Sequence, residues 1–555
     1  MSAFFDKHRE TLDKALATAR SRTFWAAYAE MPSGRIYGET AKDDGEAAFK
    51  AQLDTPFDLD QPNDGARVGK EVSPYGFALG VTYPAASADT LVAAAKEAQR
   101  SWGKASVEDR VGVALEMLAR LNARSFELAN AVMHTSGQAF MMAFQAGGAH
   151  AQERGLEAVA YAYEEMARIP GAVRWEKPQG KADPLIVDKT FRIVPRGPAV
   201  VVGCGTFPTW NSYPGLFASL VTGNPVIVKP HPLAILPLAL TVKIGREVIA
   251  EAGFDPNALL LAADEPDAPI TKDLVTHPDV AVVDFTGSPT FGAWLREAAV
   301  GKQVYTEEAG VNSIVIDSTD SFRGMCSNVG FSLSLYTGQM CTAPQNVYVP
   351  EGGIETDEGH KSFDEVAAGI AKAVDKLLGD PDRALAVLGA VQSTATVDRV
   401  ADAVKLGTVV RASGPVEGLP DDKIRTATPL ILSVGEGDED AYMAERFGPI
   451  SFIVATSSTE GSIARAAGSA KTKGAITAAF YSTDEAVIDK AADAFADAGV
   501  PLSVNLVGGI FVNQSAAYSD YHVTGANPAG NACLTDAAFV ANRFRVATVR
   551  RLATA

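Results

Sequence analysis

Val280-Ala281-Val282-Val283-Asp284-Phe285-Thr286-Gly287-Ser288-Pro289-Thr290-Phe291-Gly292 reads as a buried strand that ends in a glycine turn and opens a helix, Trp294 to Val300. A short apolar, β-branched run is buried on both faces and needs a helical crossover to reach a parallel neighbour, so this order is the unit from which parallel sheets are wound. Glycine at the turn lets backbone N–H groups approach a phosphate at the helix N-terminus. The spacing is not G-x-G-x-x-G, and taken alone the segment is better explained as a tight strand-to-helix turn.

The same texture extends on both sides. Ala199-Val200-Val201-Val202 and Val226-Ile227-Val228 are further apolar runs, with a helical pattern from Pro237 to Glu251. A second block, from Ser313 to about Val504, holds Ile314-Val315-Ile316, Val347-Tyr348-Val349, a helix from Phe363 to Leu378, and Phe452-Ile453-Val454. Two α/β domains follow. Upstream, Leu91, Ala94, Ala95 and Ala98, then Val111, Val113, Leu115, Leu118 and Leu121, recur at helical spacing between Ser87 and about Arg168. Residues 1–65 combine a polar helix, Phe4 to Arg22, with Gly-, Asp- and Pro-rich stretches, an N-terminal extension laid over the body. The last stretch, Arg543 to Arg550, alternates like a strand that can add to another subunit's sheet.

At 555 residues the chain exceeds the size at which one core keeps growing. Its net charge of -18 argues against nucleic acid, which requires a concentrated basic surface, while local Arg and Lys can still hold a small anion. Four cysteines, Cys204, Cys326, Cys341 and Cys533, are too sparse for a disulfide framework and lack zinc-ligand spacing; the seven histidines form no H-x-x-x-H pair, so no metal is expected. Without a signal-like N-terminus or a membrane-spanning apolar run, the expected location is the cytoplasm, with reduced thiols.

Cys341 follows a glycine in Tyr336-Thr337-Gly338-Gln339-Met340-Cys341, where a thiol of lowered pKa would be a nucleophile. Glu307, in Thr306-Glu307-Glu308, is a candidate base if burial tunes its pKa toward neutrality. Lys229 closes a strand, the end at which open α/β sheets bind ligands, and is a candidate for a ribose or phosphate; His231, between prolines, reads as structural rather than as a base. Each has a plainer explanation: a buried cysteine as a small hydrophobe, an exposed acidic pair, a solvated lysine.

The joint order of these segments, from about Ser87 to the C-terminus, resembles the aldehyde dehydrogenase superfamily. Phe285-Thr286-Gly287-Ser288 looks like its F-T-G-S cofactor turn, Glu307-Glu308-Ala309-Gly310-Val311-Asn312 like E-L-G-G-K, Gly338-Gln339-Met340-Cys341 like G-Q-x-C, and Glu445-Arg446-Phe447-Gly448-Pro449 like E-x-F-G-P. Thr222-Gly223-Asn224 and Lys229 match the strand that holds the adenosine ribose. Met31-Pro32-Ser33, Tyr37-Gly38-Glu39-Thr40 and Thr206 to Ser212 look closer still to the PaaN-type phenylacetic acid degradation branch.

The resemblance implies a Rossmann-type NAD(P) domain over 66–306 with an oligomerisation hairpin near 183–196. It also implies a catalytic α/β domain over 307–506 and a C-terminal return, 507–555, ending in an oligomerisation strand of a homodimer or homotetramer. It implies Cys341 as nucleophile, Glu307 as hydrolytic base, and Gly287, Ser288, Glu445 and Phe447 with Lys229 and His231 at the cofactor. The implied reaction oxidises an aldehyde to an acid through a thiohemiacetal and a thioester, in aromatic-acid breakdown. The alternatives are acyl transfer to CoA and a catalytically silent relative. Three departures stand out. Thr206 takes the place of the oxyanion-binding Asn, with Asn211 the alternative donor. His231 stands near where the family has a ribose-binding carboxylate, so NADP is expected to be accepted alongside NAD, and a charged His231 would favour it. Ala309 and Val311 replace a Gly and a Lys. A helix following Cys341 would favour the thiolate.

Overall fold

The short β-branched runs that predicted parallel strands form them. The structure, a computed structural model, describes residues 3–308, 310–419 and 421–553. Ala199–Val202, Val226–Lys229, Leu259–Leu261, Val282–Gly287 and Gln303–Glu308 make a five-stranded, wholly parallel sheet. Numbered along the chain, its strands lie in the order 3-2-1-4-5. The chain therefore leaves in opposite directions from the first and fourth strands, and their carboxyl ends flank the crevice where such sheets bind ligands. The helix after the glycine turn starts five residues earlier than its apolar pattern suggested, running Pro289–Ala298, because Ser288 caps it by accepting from Phe291 N–H.

A second sheet of seven strands carries Asn312–Ile316, Pro344–Pro350 and Ile450–Thr456 at its centre, all parallel; only its edge strand Thr408–Arg411 runs antiparallel. The fold is α/β, as expected. Helices Ala88–Trp102 to Ala151–Ala167 pack with the first sheet, and Trp102, Leu118, Leu156 and Phe217 are buried in one core with Val226 and Val228. Phe5, Leu12 and Leu16, from the helices Ala3–Lys7 and Arg9–Ser21, belong to that same core.

In the hairpin Ala172–Gln179 and Ala182–Pro195 the first arm is wholly exposed and the second alternates between exposed and part-buried residues after Leu185. The C-terminal strand, Phe544–Leu552, pairs along the whole length of its second arm, from Phe544 opposite Pro195 to Leu552 opposite Val187. Within the chain this strand is therefore paired on one side with the hairpin and forms the edge of a three-stranded sheet. Arg543 fixes the return, fully buried and bidentate to Asp284 at 2.6 and 2.7 Å. Among the described residues no helix is long and apolar enough to cross a membrane.

Candidate active site

At the carboxyl ends of the first and fourth strands opens a cleft of about 610 Å³. It is lined by Gly203 to Phe207, His231, Thr286 to Ser288, Glu307, Cys341, Arg399, Glu445 and Phe447. Segments far apart in sequence thus converge on one cavity of the size that takes a cofactor-sized ligand.

Cys341 arrives there through a strained turn. Tyr336, Thr337 and Gly338 all adopt left-handed backbone conformations, with φ of 51°, 53° and 61°. Two consecutive non-glycine residues in that region cost about 1–3 kcal/mol each and persist only where packing holds them. Here the Tyr336 hydroxyl donates to Ser136 O at 2.5 Å, and Thr337 Oγ1 donates to Leu388 O at 2.9 Å. Gly338 has no room for a side chain, since a Cβ would lie 2.4 Å from Gly448 O. The nucleophile turn and the Glu445–Pro449 segment are therefore in direct backbone contact. The helix expected after Cys341 is absent. A turn leads into the strand Pro344–Pro350, because proline biases its predecessor to extended backbone and Val347-Tyr348-Val349 suit a buried strand.

Glu307, next to last in the fifth strand, reaches Cys341: Oε1 lies 3.7 Å from Sγ. It accepts from Asn211 Nδ2 at 2.7 Å and lies 3.2 Å from His522 Nε2. Burial drives its carboxyl pKa up, but His522, Arg154 and Asn211 together outweigh burial and hold it below the ordinary value. The expectation of a base tuned toward neutrality is corrected accordingly. The thiol moves the other way. Burial, with the Glu307 carboxylate beside it, pushes Cys341 well above the usual thiol range, so the resting sulfur is a thiol rather than the low-pKa thiolate expected. Neighbouring Glu308 is buried too, ion-paired to Arg296, and neither glutamate is a solvated surface charge.

His522 was not singled out by the sequence. Its Nε2 lies 3.7 Å from Cys341 Sγ, its Nδ1 is 2.9 Å from Ser515 Oγ, and its ring meets Trp210 edge-on at 4.6 Å. Arg154 in turn lies over Trp210, 3.6 Å from the ring centre. The available signal was weak: one histidine in a long Gly-, Asn- and Ser-rich segment after the last strand of the second sheet, the kind of loop that carries function.

Thr206 lines the cleft, in a loop fastened through backbone carbonyls. Gln138 Nε2 donates to Thr206 O at 2.8 Å and Gln392 Nε2 to Gly205 O at 2.6 Å. Asn211, the alternative oxyanion donor, has its amide engaged by Glu307. Of the aromatic residues near the motifs, Phe207 lines the cleft, while Tyr213 is a core residue bonded to Thr241.

Two cofactor expectations change. Lys229 does not line the cleft: its ammonium, 2% exposed, lies 2.7 Å from Asp264 and donates to Pro230 O. His231 does line it, but burial and then Lys229 lower its pKa to about 4, so it is neutral at pH 7 and brings no charge for a 2′-phosphate. Asn224 is a structural tie, accepting from Arg196 N and Gly197 N and donating to Arg543 O. Ala309 lies outside the described residues; Val311 is buried.

Residues 79–525 match the aldehyde dehydrogenase family. A solved structure of an NAD-dependent aldehyde dehydrogenase from Burkholderia multivorans is 55% identical and superposes with a TM-score of 0.99 over 100% of both chains. The N-succinylglutamate 5-semialdehyde dehydrogenase of Burkholderia multivorans is 28% identical over 70% of this chain and 75% of its own length. That of Paraburkholderia xenovorans is 29% identical over 66% and 72%. A Thermus thermophilus 1-pyrroline-5-carboxylate dehydrogenase, at 19% identity, shares the fold with a TM-score of 0.73 over 96% and 99% of the two chains. This chain belongs to the aldehyde dehydrogenase family.

Proposed function

We propose that the protein oxidises an aldehyde to a carboxylic acid with NAD or NADP, through a covalent intermediate on Cys341. The observation that carries this reading is the 3.7 Å approach of Cys341 Sγ to Glu307 Oε1 at the cleft wall. The cleft fits a dinucleotide: Gly287 and Ser288 bring the N-terminus of helix Pro289–Ala298 to its wall, a favourable seat for a phosphate. Bound there, the nicotinamide supplies the hydride acceptor.

Glu307, ionised at neutral pH, takes the thiol proton, and Sγ adds to the carbonyl carbon as the C=O π electrons move to oxygen. Thr206 Oγ1 and the Cys341 backbone N–H are the donors assigned to that oxyanion, since the Asn211 amide is turned to Glu307. Loss of hydride leaves a thioester on Cys341. Glu307 releases that proton to solvent and then deprotonates the attacking water; the C–S bond breaks, the acid leaves, and Glu307 returns a proton to the thiolate. His522 and Asn211 hold Glu307 in place for these proton transfers.

Glu445 and Phe447 face the same cleft and are assigned to the nicotinamide ribose. With His231 neutral and no carboxylate beside it in the Lys229-Pro230-His231 segment, discrimination between NAD and NADP is expected to stay within about tenfold, some 1.4 kcal/mol, in binding titrations. The substrate reading is an aldehyde from aromatic-acid breakdown, supported by the wording of the N-terminal and Thr206–Ser212 segments and by Phe207 on the cleft wall. The named semialdehyde dehydrogenases among the relatives favour a second reading, a semialdehyde with a remote carboxylate. The deciding experiment follows reduced cofactor with phenylacetaldehyde-like substrates and with carboxylated semialdehydes, each with and without CoA. Acid formation independent of CoA is expected. An absolute need for CoA overturns the hydrolytic step, and no reduction with any aldehyde overturns the whole reading.

A further inference from the structure

Cys341 Sγ, Glu307 Oε1 and His522 Nε2 form a triangle with edges of 3.7 Å (sulfur to oxygen), 3.7 Å (sulfur to nitrogen) and 3.2 Å (nitrogen to oxygen). A tetrahedral zinc ion, about 2.3 Å from sulfur and about 2.0–2.1 Å from nitrogen and oxygen, sets those edges at about 3.5, about 3.5 and about 3.3 Å. The three donors thus stand within about 0.2 Å of a zinc coordination shell, the tolerance expected of a real site. Among the described residues these are the three His, Cys and carboxylate side chains whose ligand atoms converge within 4.8 Å.

We propose that Cys341, Glu307 and His522 form a zinc-binding site whose fourth position opens onto the cleft, and that zinc bound there shuts off the enzyme. The mixed sulfur, nitrogen and oxygen set selects zinc over magnesium or calcium, which take oxygen ligands. One thiolate and one carboxylate neutralise the dication, so a half-buried site carries no net charge. As the S–Zn bond forms, the thiol proton leaves to solvent, Nε2 binds in the neutral tautomer that carries its hydrogen on Nδ1 toward Ser515 Oγ, and no electron is transferred. The surroundings hold the donors in place. Ser515 Oγ at 2.9 Å from Nδ1 fixes the His522 ring so that Nε2 faces the sulfur, and Asn211 fixes Oε1 of Glu307. Cys341 and Glu307 both line the cleft, which gives the ion its way in. Occupancy removes the nucleophile and its base together.

Binding stands on this geometry alone; inhibition rests on the dehydrogenase reading. The test uses the full chain, stripped with a chelator, titrated with Zn²⁺ against an indicator and separately with Co²⁺. One zinc per chain is expected, with a cobalt–thiolate charge-transfer band. Cys341→Ala should abolish that band, and His522→Ala should weaken zinc binding by about 100-fold or more. Ser515→Ala, which keeps all three donors, should weaken it by about tenfold. Stoichiometric zinc should abolish aldehyde oxidation and EDTA should restore it. The proposal is overturned if the unmodified protein shows no charge-transfer band, if zinc binds His522→Ala as tightly as the unmodified chain, or if bound zinc leaves turnover intact. Zinc binding in a protein that oxidises no aldehyde would refute the proposed function and leave the site standing.

Discussion

The two sides of Glu307 are built differently. On one lies the cleft of about 610 Å³, walled by Gly203 to Phe207, Gly287, Ser288 and Phe447, segments at the ends of parallel strands. On the other lies a smaller and more closed space of about 50 Å³ lined by Arg154, Glu157, Asn211, Ser515 and His522. Backbone turns shape the first, and a packed polar network shapes the second. The network is itself braced from outside: Arg22 donates to Tyr518 O at 3.0 Å and lies over Tyr521, while Tyr28 N–H donates to Glu153 at 2.7 Å. On the proposed reading the open side seats the cofactor, and the polar network on the other holds Glu307.

The Cys341 sulfur stands at the cleft wall as the proposed nucleophile, so its removal is the largest expected effect. Cys341→Ala should lower turnover by about 10⁴-fold or more while cofactor binding persists, as fluorescence titration would show. Retained turnover would end the covalent reading. Gly338→Ala strikes the turn that delivers Cys341. Its Cβ would overlap Gly448 O, and its left-handed φ of 61° costs a side chain about 1–3 kcal/mol more. Thermal melting should fall, and activity with it; an unshifted melting temperature would show that the turn can relax.

Asn211 lines both spaces, but its side-chain amide is bonded to Glu307. In Asn211→Ala, loss of that bond should lower kcat by up to about 10²-fold with the KM for cofactor unchanged, and a trapped thioester should accumulate. A rise in KM instead would erase the division between the two sides. Glu445 belongs to the open side. Burial, opposed by Arg399, raises its carboxyl pKa to about 7, so it is neutral below that pH and ionised above it. An ionised carboxylate accepts hydroxyl hydrogen bonds more strongly. Cofactor affinity should therefore rise a few-fold between about pH 6 and pH 8, and Glu445→Gln should flatten that profile.

Much of the open side was legible in the sequence, because its parts are local. A β-branched run followed by Thr286-Gly287-Ser288-Pro289 specifies strand, turn and capped helix within a dozen residues, and Ser288 and Gly287 stand at the cleft. Little of the closed side was legible. His522 is 181 residues from Cys341 along the chain, and the Glu307–Asn211 bond spans 96. The helix expected after Cys341 failed because Pro344 and the Val347–Val349 run outweigh the preceding turn.

The sequence by itself determined the strand-and-helix alternation, the candidate nucleophile and base, and membership in a family of α/β dehydrogenases, since these reside in short apolar runs and motifs. The charge states, by contrast, follow from three-dimensional packing. Whether Glu307 sits low, Cys341 high, and His231 neutral depends on which groups share a low-dielectric space, and no spacing along a chain encodes that.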